Sequence, residues 1–162
     1  MTAESFTQRM MEMEKTLYHV TYGMLYNRSD CKDAVQECIL KAWQKRAGLK
    51  SEASFRPWVI RILINECNNM LRARKRCLPM EEMPESPAPP DADLWLHDAI
   101  RALPEKLRLP VVLYYMEGLT VDQAAAILHV PRGTVKTRLA KVRRELKTAL
   151  QDGEGRAAYE RV

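Results

Sequence analysis

The sequence lacks the features that mark a membrane-spanning protein, an exported protein or a common class of enzyme. Its longest apolar run, Leu109–Met116, is far too short to span a bilayer. Its first residues do not combine a charged start with an apolar stretch, as a signal peptide does. It has no glycine-rich phosphate loop and no paired catalytic carboxylates, and its three histidines are scattered. These absences predict no catalytic residues, no covalent chemistry and no direct membrane insertion.

The cysteines do not follow a metal-binding pattern. None of Cys31, Cys38, Cys67 and Cys77 belongs to a CxxC pair, and no histidine stands at zinc-ligand spacing from them. We therefore predict free thiols that are buried or partly buried, no metal site and no cofactor. Free thiols without an export signal predict a cytoplasmic protein, because that compartment is reducing.

Charge is distributed unevenly along the chain, whose formal net charge is +5. Residues 61–76 carry five basic residues and one acidic residue, and residues 132–147 carry seven basic residues and one acidic residue. Residues 80–93 between them carry five acidic residues and no basic one. Two basic segments that flank an acidic strip indicate two contacts with a polyanion such as nucleic acid.

The hydrophobic periodicity predicts an all-α fold made of two small helical domains. A first helix is predicted from about Ser5 to Tyr26, a second to about Arg46 with Ser29 or Asp30 as its cap, and a third from Ser54 or Phe55 into the basic residues 72–76. The second helix is predicted to face inward through Ala34, Val35, Cys38, Ile39, Ala42 and Trp43.

Proline and acidic residues separate the two predicted domains. Residues 78–90 contain five prolines and three glutamates and little that could form a core, which is typical of an extended linker. The predicted boundaries are a first domain at 1–77, a linker at 78–91, a second domain at 92–150 and a C-terminal tail at 151–162.

The second domain is predicted to open with two helices. One covers about 93–102, and the other starts at Pro104 and runs to about Glu117. Pro110 is expected to kink or break this second helix, because proline removes a backbone donor and its ring clashes with the preceding turn. Gly118 is the expected stop.

A helix-turn-helix pattern follows at Leu119–Leu146. Thr120 is a good N-cap for a short helix, and His129-Val130-Pro131 ends it. A longer helix then buries the predicted stripe of Val135, Leu139, Val142 and Leu146 and presents basic residues on its other side. Such a helix is suited to a DNA major groove, although an ordinary solvated face is the alternative.

Three segments in order resemble the sigma-70 family of bacterial RNA polymerase sigma factors, and specifically its extracytoplasmic-function group. Residues 30–43, DCKDAVQECILKAW, are similar to region 2.2, and residues 54–76, SFRPWVIRILINECNNMLRARKR, to regions 2.3 and 2.4. Residues 102–146 are similar to regions 4.1 and 4.2, including Leu103-Pro104-Glu105 and Gly133-Thr134-Val135-Lys136. The resemblance implies a subunit that directs core polymerase to specific promoters, in response to an envelope or extracytoplasmic signal.

The resemblance implies one polymerase-binding set and two DNA-binding sets of residues. Asp33, Gln36 and Glu37 would dock on the clamp helices of the β′ subunit, and their spacing places them on one helix face; an ordinary polar face is the alternative. Asn65 and the loop at 48–54 would capture a base flipped from the −10 element. The alternative is that the Asn65 side chain caps a helix or hydrogen-bonds to nearby groups of its own chain. The expected phosphate contacts nearby are Arg61, Arg72, Arg74, Lys75 and Arg76. The apolar spacing of Phe55 and Trp58 favours core packing over base stacking.

In the second domain the resemblance implies recognition of the −35 element. The matching residues are Arg132, Thr134, Lys136, Thr137, Arg138 and Lys141. Lys136 and Thr137 are the better candidates for base edges, and Arg138 and Arg143 for phosphates or acidic protein groups. Implied partners are core RNA polymerase, through its β′ clamp helices and β flap, promoter DNA, and an anti-sigma factor that is often membrane-anchored.

Three other functions are compatible with parts of the sequence. A stand-alone helix-turn-helix regulator of duplex DNA accounts for the second domain but leaves Asp33, Gln36, Glu37 and Asn65 without roles. A nuclease or recombinase would need clustered carboxylates, and the acidic residues concentrate in the linker. The third alternative is a protein-interaction module whose sigma-like parts are occupied by an inhibitor.

Overall fold

The structure is a computed structural model that describes residues 1–25, 27–76 and 99–151, the last three without their side chains. Every regular element among these residues is helical, which confirms the predicted all-α class. They fall into two compact units, one within Met1–Pro87 and one within Ala88–Val162. The predicted linker at 78–91, most of the predicted helix at 93–102, Cys77 and the tail from 152 lie outside the described residues. The domain boundaries within these segments therefore stay a prediction.

The first unit is built on four helices among residues 1–25 and 27–76. They are α1 (Ala3–Glu12), α2 (Glu14–Leu25), α3 (Arg28–Lys45) and α4 (Phe55–Arg76). Two short 3-10 turns, Arg46–Gly48 and Glu52–Ser54, lie in the connection between α3 and α4. Helices α2, α3 and α4 pack on one another around a fully buried centre that includes Val20, Leu25, Val59 and Leu63.

The single helix predicted from Ser5 to Tyr26 is wrong, because the chain breaks at Met13. The Met13 amide donates to the carbonyls of both Arg9 and Met10, at 3.2 and 3.1 Å, and so tightens the last turn of α1. Met13 itself is buried, so the apolar spacing continues through the break. Periodicity alone therefore could not reveal it.

Two expectations for α3 are also wrong. Asn27, not Ser29 or Asp30, caps the helix, since its Oδ1 accepts from the amides of those two residues at 2.9 and 3.2 Å. The inward face is narrower than predicted: small side chains at every third or fourth position are buried, but Ile39 is 37% exposed. The buried residues of α3 are Cys31, Ala34, Cys38 and Ala42.

In the second unit the kink or break expected at Pro110 takes the form of a change in helix type two residues later, and the chain stays helical through the proline. Residues 99–102 are helical, and α5 (Glu105–Val111) gives way directly to a π-helical turn at Val112–Met116. Proline supplies no amide hydrogen for the carbonyl four residues before it, so α5 loses one hydrogen bond in the turn that precedes the π-helical segment. The Glu117 amide donates to the Val112 carbonyl at 3.0 Å. Gly118, with φ of 66°, then ends the segment as expected, because glycine adopts this left-handed conformation without strain.

A buried arginine joins residues 99–103 to α5. Arg108 is 8% exposed. Its Nε donates to the Ile100 carbonyl at 3.2 Å, and its Nη2 donates to the carbonyls of Arg101 and Leu103 at 3.0 and 2.8 Å. Burial lowers the pKa of Arg108 from its ordinary value. The guanidinium therefore bonds carbonyls at a helix end, where the backbone itself supplies few donors.

Helices α6 (Val121–Leu128) and α7 (Arg132–Gln151) complete the described part of the second unit. They pack on each other, and α7 also packs on α5. No helix in the described ranges combines the length and apolar character needed to cross a bilayer.

Candidate nucleic-acid interface

The helix-turn-helix geometry is set by a cap at one end of α6 and a left-handed residue at the other. Thr120 Oγ1 accepts from the Gln123 amide at 3.1 Å, and Gln123 Oε1 accepts from the Thr120 amide at 3.0 Å. This reciprocal capping box holds the start of α6. His129 adopts φ of 55° and ends it, and α7 begins three residues later. The predicted cap and turn are both confirmed.

The apolar stripe of α7 holds that helix against the unit. Val135, Leu139 and Val142 are buried as predicted, while Leu146 is half-buried. On α6, the small side chains of Ala124 and Ala125 are buried and permit the close approach of the two helices. Because the buried stripe fixes the rotation of α7 about its axis, the polar side chains on the other faces are directed outward.

The six candidate −35 residues lie along this outward surface of α7. Four are exposed and two, Thr134 and Arg138, are half-buried. Thr137 Oγ1 donates to the Gly133 carbonyl at 2.9 Å, which leaves its lone pairs to accept a hydrogen bond. Arg132 Nε lies 3.2 Å from Asp122 Oδ1 in an exposed pair across the turn. The four exposed candidates for contact with the −35 element are Arg132, Lys136, Thr137 and Lys141.

The structure adds an aromatic group beside α7. Tyr115, on the π-helical turn, is 50% exposed, and its hydroxyl accepts from Arg143 Nη1 at 3.2 Å. The edge of Tyr114 packs on Tyr115 with 4.9 Å between ring centroids. Arg143 is therefore positioned by a residue 28 places earlier in the chain, a relation that no local sequence signal revealed.

In the first unit, α4 presents a second polar face. Arg61, Asn65 and Arg72 follow one another at steps of four and seven, so they line one side of the helix, and all three are exposed. The Asn65 side chain is exposed, so its amide donor and its carbonyl acceptor can both be reached by a ligand. Lys75 and Arg76 are exposed at the end of α4.

Two ion pairs alter the net charge that the polar face of α4 presents, compared with the charge expected from the sequence. Arg74, an expected phosphate contact, forms an ion pair with Asp30 of α3 and is only 26% exposed. Glu66, the one acidic residue of α4, lies 2.7 Å from Lys41 Nζ, and this hydrogen bond raises the pKa of Lys41. Lys41 therefore offsets the only negative charge on α4.

The aromatic residues at the start of α4 belong mainly to the core. Phe55 is 3% exposed, and its ring meets the edge of Phe6 with 5.9 Å between centroids. Core packing is therefore confirmed for Phe55. Trp58 is half-buried against Phe55, at 6.0 Å, and keeps part of its surface accessible.

A third face, on α3, combines polar and apolar groups. Asp33, Gln36 and Glu37 are all exposed on the side opposite the buried Ala34 and Cys38. Leu40, one helical turn further on, is 50% exposed and was not anticipated. An exposed leucine beside hydrogen-bonding side chains suits a protein partner better than a phosphate backbone.

The thiols in the first unit are free and buried, as predicted for Cys31, Cys38 and Cys67. Burial raises the pKa of all three, and that of Cys38 to about 12. Within the described ranges, no three His, Cys, Asp or Glu side chains come together in a way that could hold a metal ion.

Comparison with known families gives two matches in the order expected from the sequence. Residues 10–77 match the family described as Sigma-70 region 2, and residues 93–146 match Sigma-70 region 4. Among curated proteins, the chain is 25% identical to the ECF RNA polymerase sigma-E factor of Haemophilus influenzae, covering 93% of this chain and 96% of that protein. It is 28% identical to the Escherichia coli K12 protein of the same name, covering 75% and 74%.

Solved structures show the same architecture. The sigma factor RpoE of Bartonella quintana, solved with the anti-sigma factor NepR, superposes with a TM-score of 0.78 at 25% identity, covering 92% of this chain and 98% of that one. CnrH, solved with the cytosolic domain of CnrY, has a TM-score of 0.70 at 20% identity and covers 94% and 91%; this second likeness concerns the fold alone.

Proposed function

Because this chain belongs to the extracytoplasmic-function group of the sigma-70 family of RNA polymerase sigma factors, we propose how its residues divide the work of promoter recognition. The second unit reads the −35 element, the first unit captures an unpaired base of the −10 element, and α3 docks on core polymerase. The observation that carries this proposal is the presence of two outward basic helix faces, one in each matched region.

In the second unit, α7 enters the major groove of the −35 element. Lys136 and Thr137 are the candidates for base edges, since both are exposed and Thr137 keeps its lone pairs free to accept. Arg132, Lys141 and Arg143 supply phosphate contacts that set the register of the helix. Thr134 and Arg138 are half-buried and contribute from the flank of α7.

In the first unit, the exposed face of α4 tracks the melted strand. Asn65 hydrogen-bonds the edge of a flipped base, and this bond offsets part of the few kcal/mol that unstacking costs. Arg61 and Arg72 on the same face, with Lys75 and Arg76 at the helix end, hold phosphates. Arg74 acts mainly through its ion pair with Asp30, which fastens α4 to α3.

The α3 face provides the attachment to core polymerase. Asp33, Gln36 and Glu37 offer hydrogen-bonding groups to the β′ clamp helices, and the exposed Leu40 adds apolar contact area. The β flap is the expected partner of the second unit. We further propose that an anti-sigma factor holds the chain inactive in the cytoplasm until an envelope signal releases it, by analogy with the sigma factor RpoE solved with the anti-sigma factor NepR. The chain itself performs no covalent step.

Run-off transcription with purified core polymerase and upstream fragments from the source genome tests this proposal. We expect the wild-type chain to give discrete start sites, and Gln36→Ala/Glu37→Ala to lose them. Gln44→Ala, an exposed glutamine on the same helix, is the matched control and should initiate normally. A folded wild-type chain that gives no initiation but binds duplex DNA tightly without polymerase would instead establish a stand-alone regulator.

A further inference from the structure

The α3–α4 loop, residues 48–54, is joined to the N-terminal helix by a long-range contact. Arg9 Nη2 lies 2.7 Å from Glu52 Oε2, and Arg9 Nη1 donates to the Glu52 backbone carbonyl at 3.4 Å. The guanidinium therefore contacts both the side chain and the main chain of one loop residue. The contact to the main chain restrains the path of the loop, and the contact to the carboxylate offsets the charge of the loop.

The loop has little else of its own to define its shape. Apart from the half-buried Leu49, its residues are exposed. The backbone hydrogen bonds at its two ends, from Leu49 to Arg46 and from Ser54 to Ser51, each close a single local turn. Local turns of this kind do not anchor a loop to the rest of the domain, so a contact from a different helix has a large effect on its position.

Arg9 is itself held on a rigid support. It lies on α1 between the buried residues Phe6 and Met10, and its guanidinium carbon is 5.8 Å from the centroid of the Phe55 ring. Phe55 is the first residue of α4, directly after the loop, and Phe6 packs on it. The guanidinium thus spans the aromatic start of α4 and the loop. Arginine suits this position because its planar fork offers several donors and also stacks on an aromatic face.

The same contact changes the electrostatics of the loop. Glu52 is exposed on a segment that, under the proposed function, borders the melted DNA strand. An unpaired carboxylate there would repel phosphates. Pairing with Arg9 offsets that charge and draws the carboxylate toward α1.

We infer that Arg9 is a positioning residue for −10 recognition: through Glu52 it holds the α3–α4 loop in the conformation that accepts the flipped base. This inference rests on the proposed capture of an unpaired −10 base by the first unit. Preorganising the loop lowers the ordering cost when the base enters, so the effect falls on discrimination between bases more than on binding of the polymerase.

The test uses the full chain with core polymerase on a promoter that is already melted across the −10 element. Each unpaired position carries each of the four bases in turn, and the readout is the ratio of initiation rates between the best and the worst base. We expect Arg9→Ala to lower this ratio about three- to fivefold at one position, the size expected for a partly exposed ion pair with an added main-chain contact. Holoenzyme assembly measured by native gel should not change.

Two further variants separate positioning from a general loss of structure. The charge swap Arg9→Glu/Glu52→Arg should restore part of the ratio, because it rebuilds the ion pair in reverse but not the bond to the main-chain carbonyl of residue 52 or the contact with the Phe55 ring. Gln8→Ala removes a neighbouring exposed side chain whose hydrogen bond stays within α1, and it should behave like the wild-type chain.

If Arg9→Ala leaves the ratio unchanged, or if the charge swap leaves it as low as Arg9→Ala does, the inference is overturned, while initiation by the wild-type chain upholds the proposed function. If the wild-type holoenzyme shows no preference at any unpaired position, base capture itself fails, and the inference fails with it.

Discussion

Arg108→Met tests whether a buried cation holds the second unit together. In the structure the guanidinium donates to three carbonyls, those of Ile100, Arg101 and Leu103, at 3.2, 3.0 and 2.8 Å. Hydrogen bonds from a charged group contribute about 1.5–3 kcal/mol each, but bonds made by one group are not additive, and burying the guanidinium has its own cost. We therefore expect Met, of similar length, to lower the free energy of unfolding of this unit by about 3 kcal/mol.

A loss of this size is measurable as a shift in thermal midpoint. For a unit of this length each kcal/mol corresponds to about 4–8 °C, so the midpoint of the second unit should fall by about 12–24 °C. Hydrogen exchange followed by mass spectrometry assigns the loss to its location. Protection should fall in α5, α6 and α7, while α2, α3 and α4 of the first unit keep theirs.

Lys106→Met supplies the matched control, since Lys106 is exposed on the same helix. An exposed substitution of this kind changes stability by about 0.5 kcal/mol or less. Arg108→Lys should fall between the two, because an ammonium cannot reach all three carbonyls. If Arg108→Met costs no more than Lys106→Met, the hydrogen bonds from the guanidinium do not stabilise the second unit.

Three other predictions concern the cap, the thiols and the groove-facing helix. Thr120→Ala should destabilise the second unit by about 1 kcal/mol in thermal unfolding, and Thr120→Ser should not. Cys38 and Cys67 should resist iodoacetamide in the folded chain and react after unfolding, and rapid native labelling would contradict their burial. Because the pKa of both thiols is raised by burial, their contribution to the stability of the first unit is fully present below the ordinary thiol pKa of 9.0. It is lost as pH rises toward about 12, the pKa of Cys38, since unfolded thiols release protons that folded ones retain. Lys136→Ala should reduce discrimination at one −35 base pair by about 1–3 kcal/mol in binding assays with holoenzyme, whereas an equal loss on all sequences would indicate a phosphate contact.

Several features that depend on one or two helical turns were predictable, although the Asn27 cap of α3, which is equally local, was not. The Thr120 cap, the buried stripe of α7 and the disturbance of the helix near Pro110 each follow from backbone geometry within a few residues. The other errors in the first unit have a different origin. The break at Met13 leaves the apolar spacing intact, and the exposure of Ile39 depends on how α2 and α4 enclose α3.

The candidate site divides in the same way between features that the local sequence predicts and features that helix packing decides. The sequence and the helical repeat show which residues are basic and that Arg61, Asn65 and Arg72 share one face. They do not show whether a given charge is available to a ligand. Arg74 is paired with Asp30 and Glu66 with Lys41, while Tyr115 positions Arg143 without neutralising it, and in each case the contact comes from a residue on another element.

Periodicity, capping and motif residues are local in the chain, and they are enough to establish the helical class, the two matched regions and the order in which they occur. Helix packing settles which cations face outward and which are engaged, and it brings Arg9 to a loop residue 43 places away. Such pairings arise when separate helices pack, since packing fixes the rotation of each helix and brings together side chains that have no relation in the sequence.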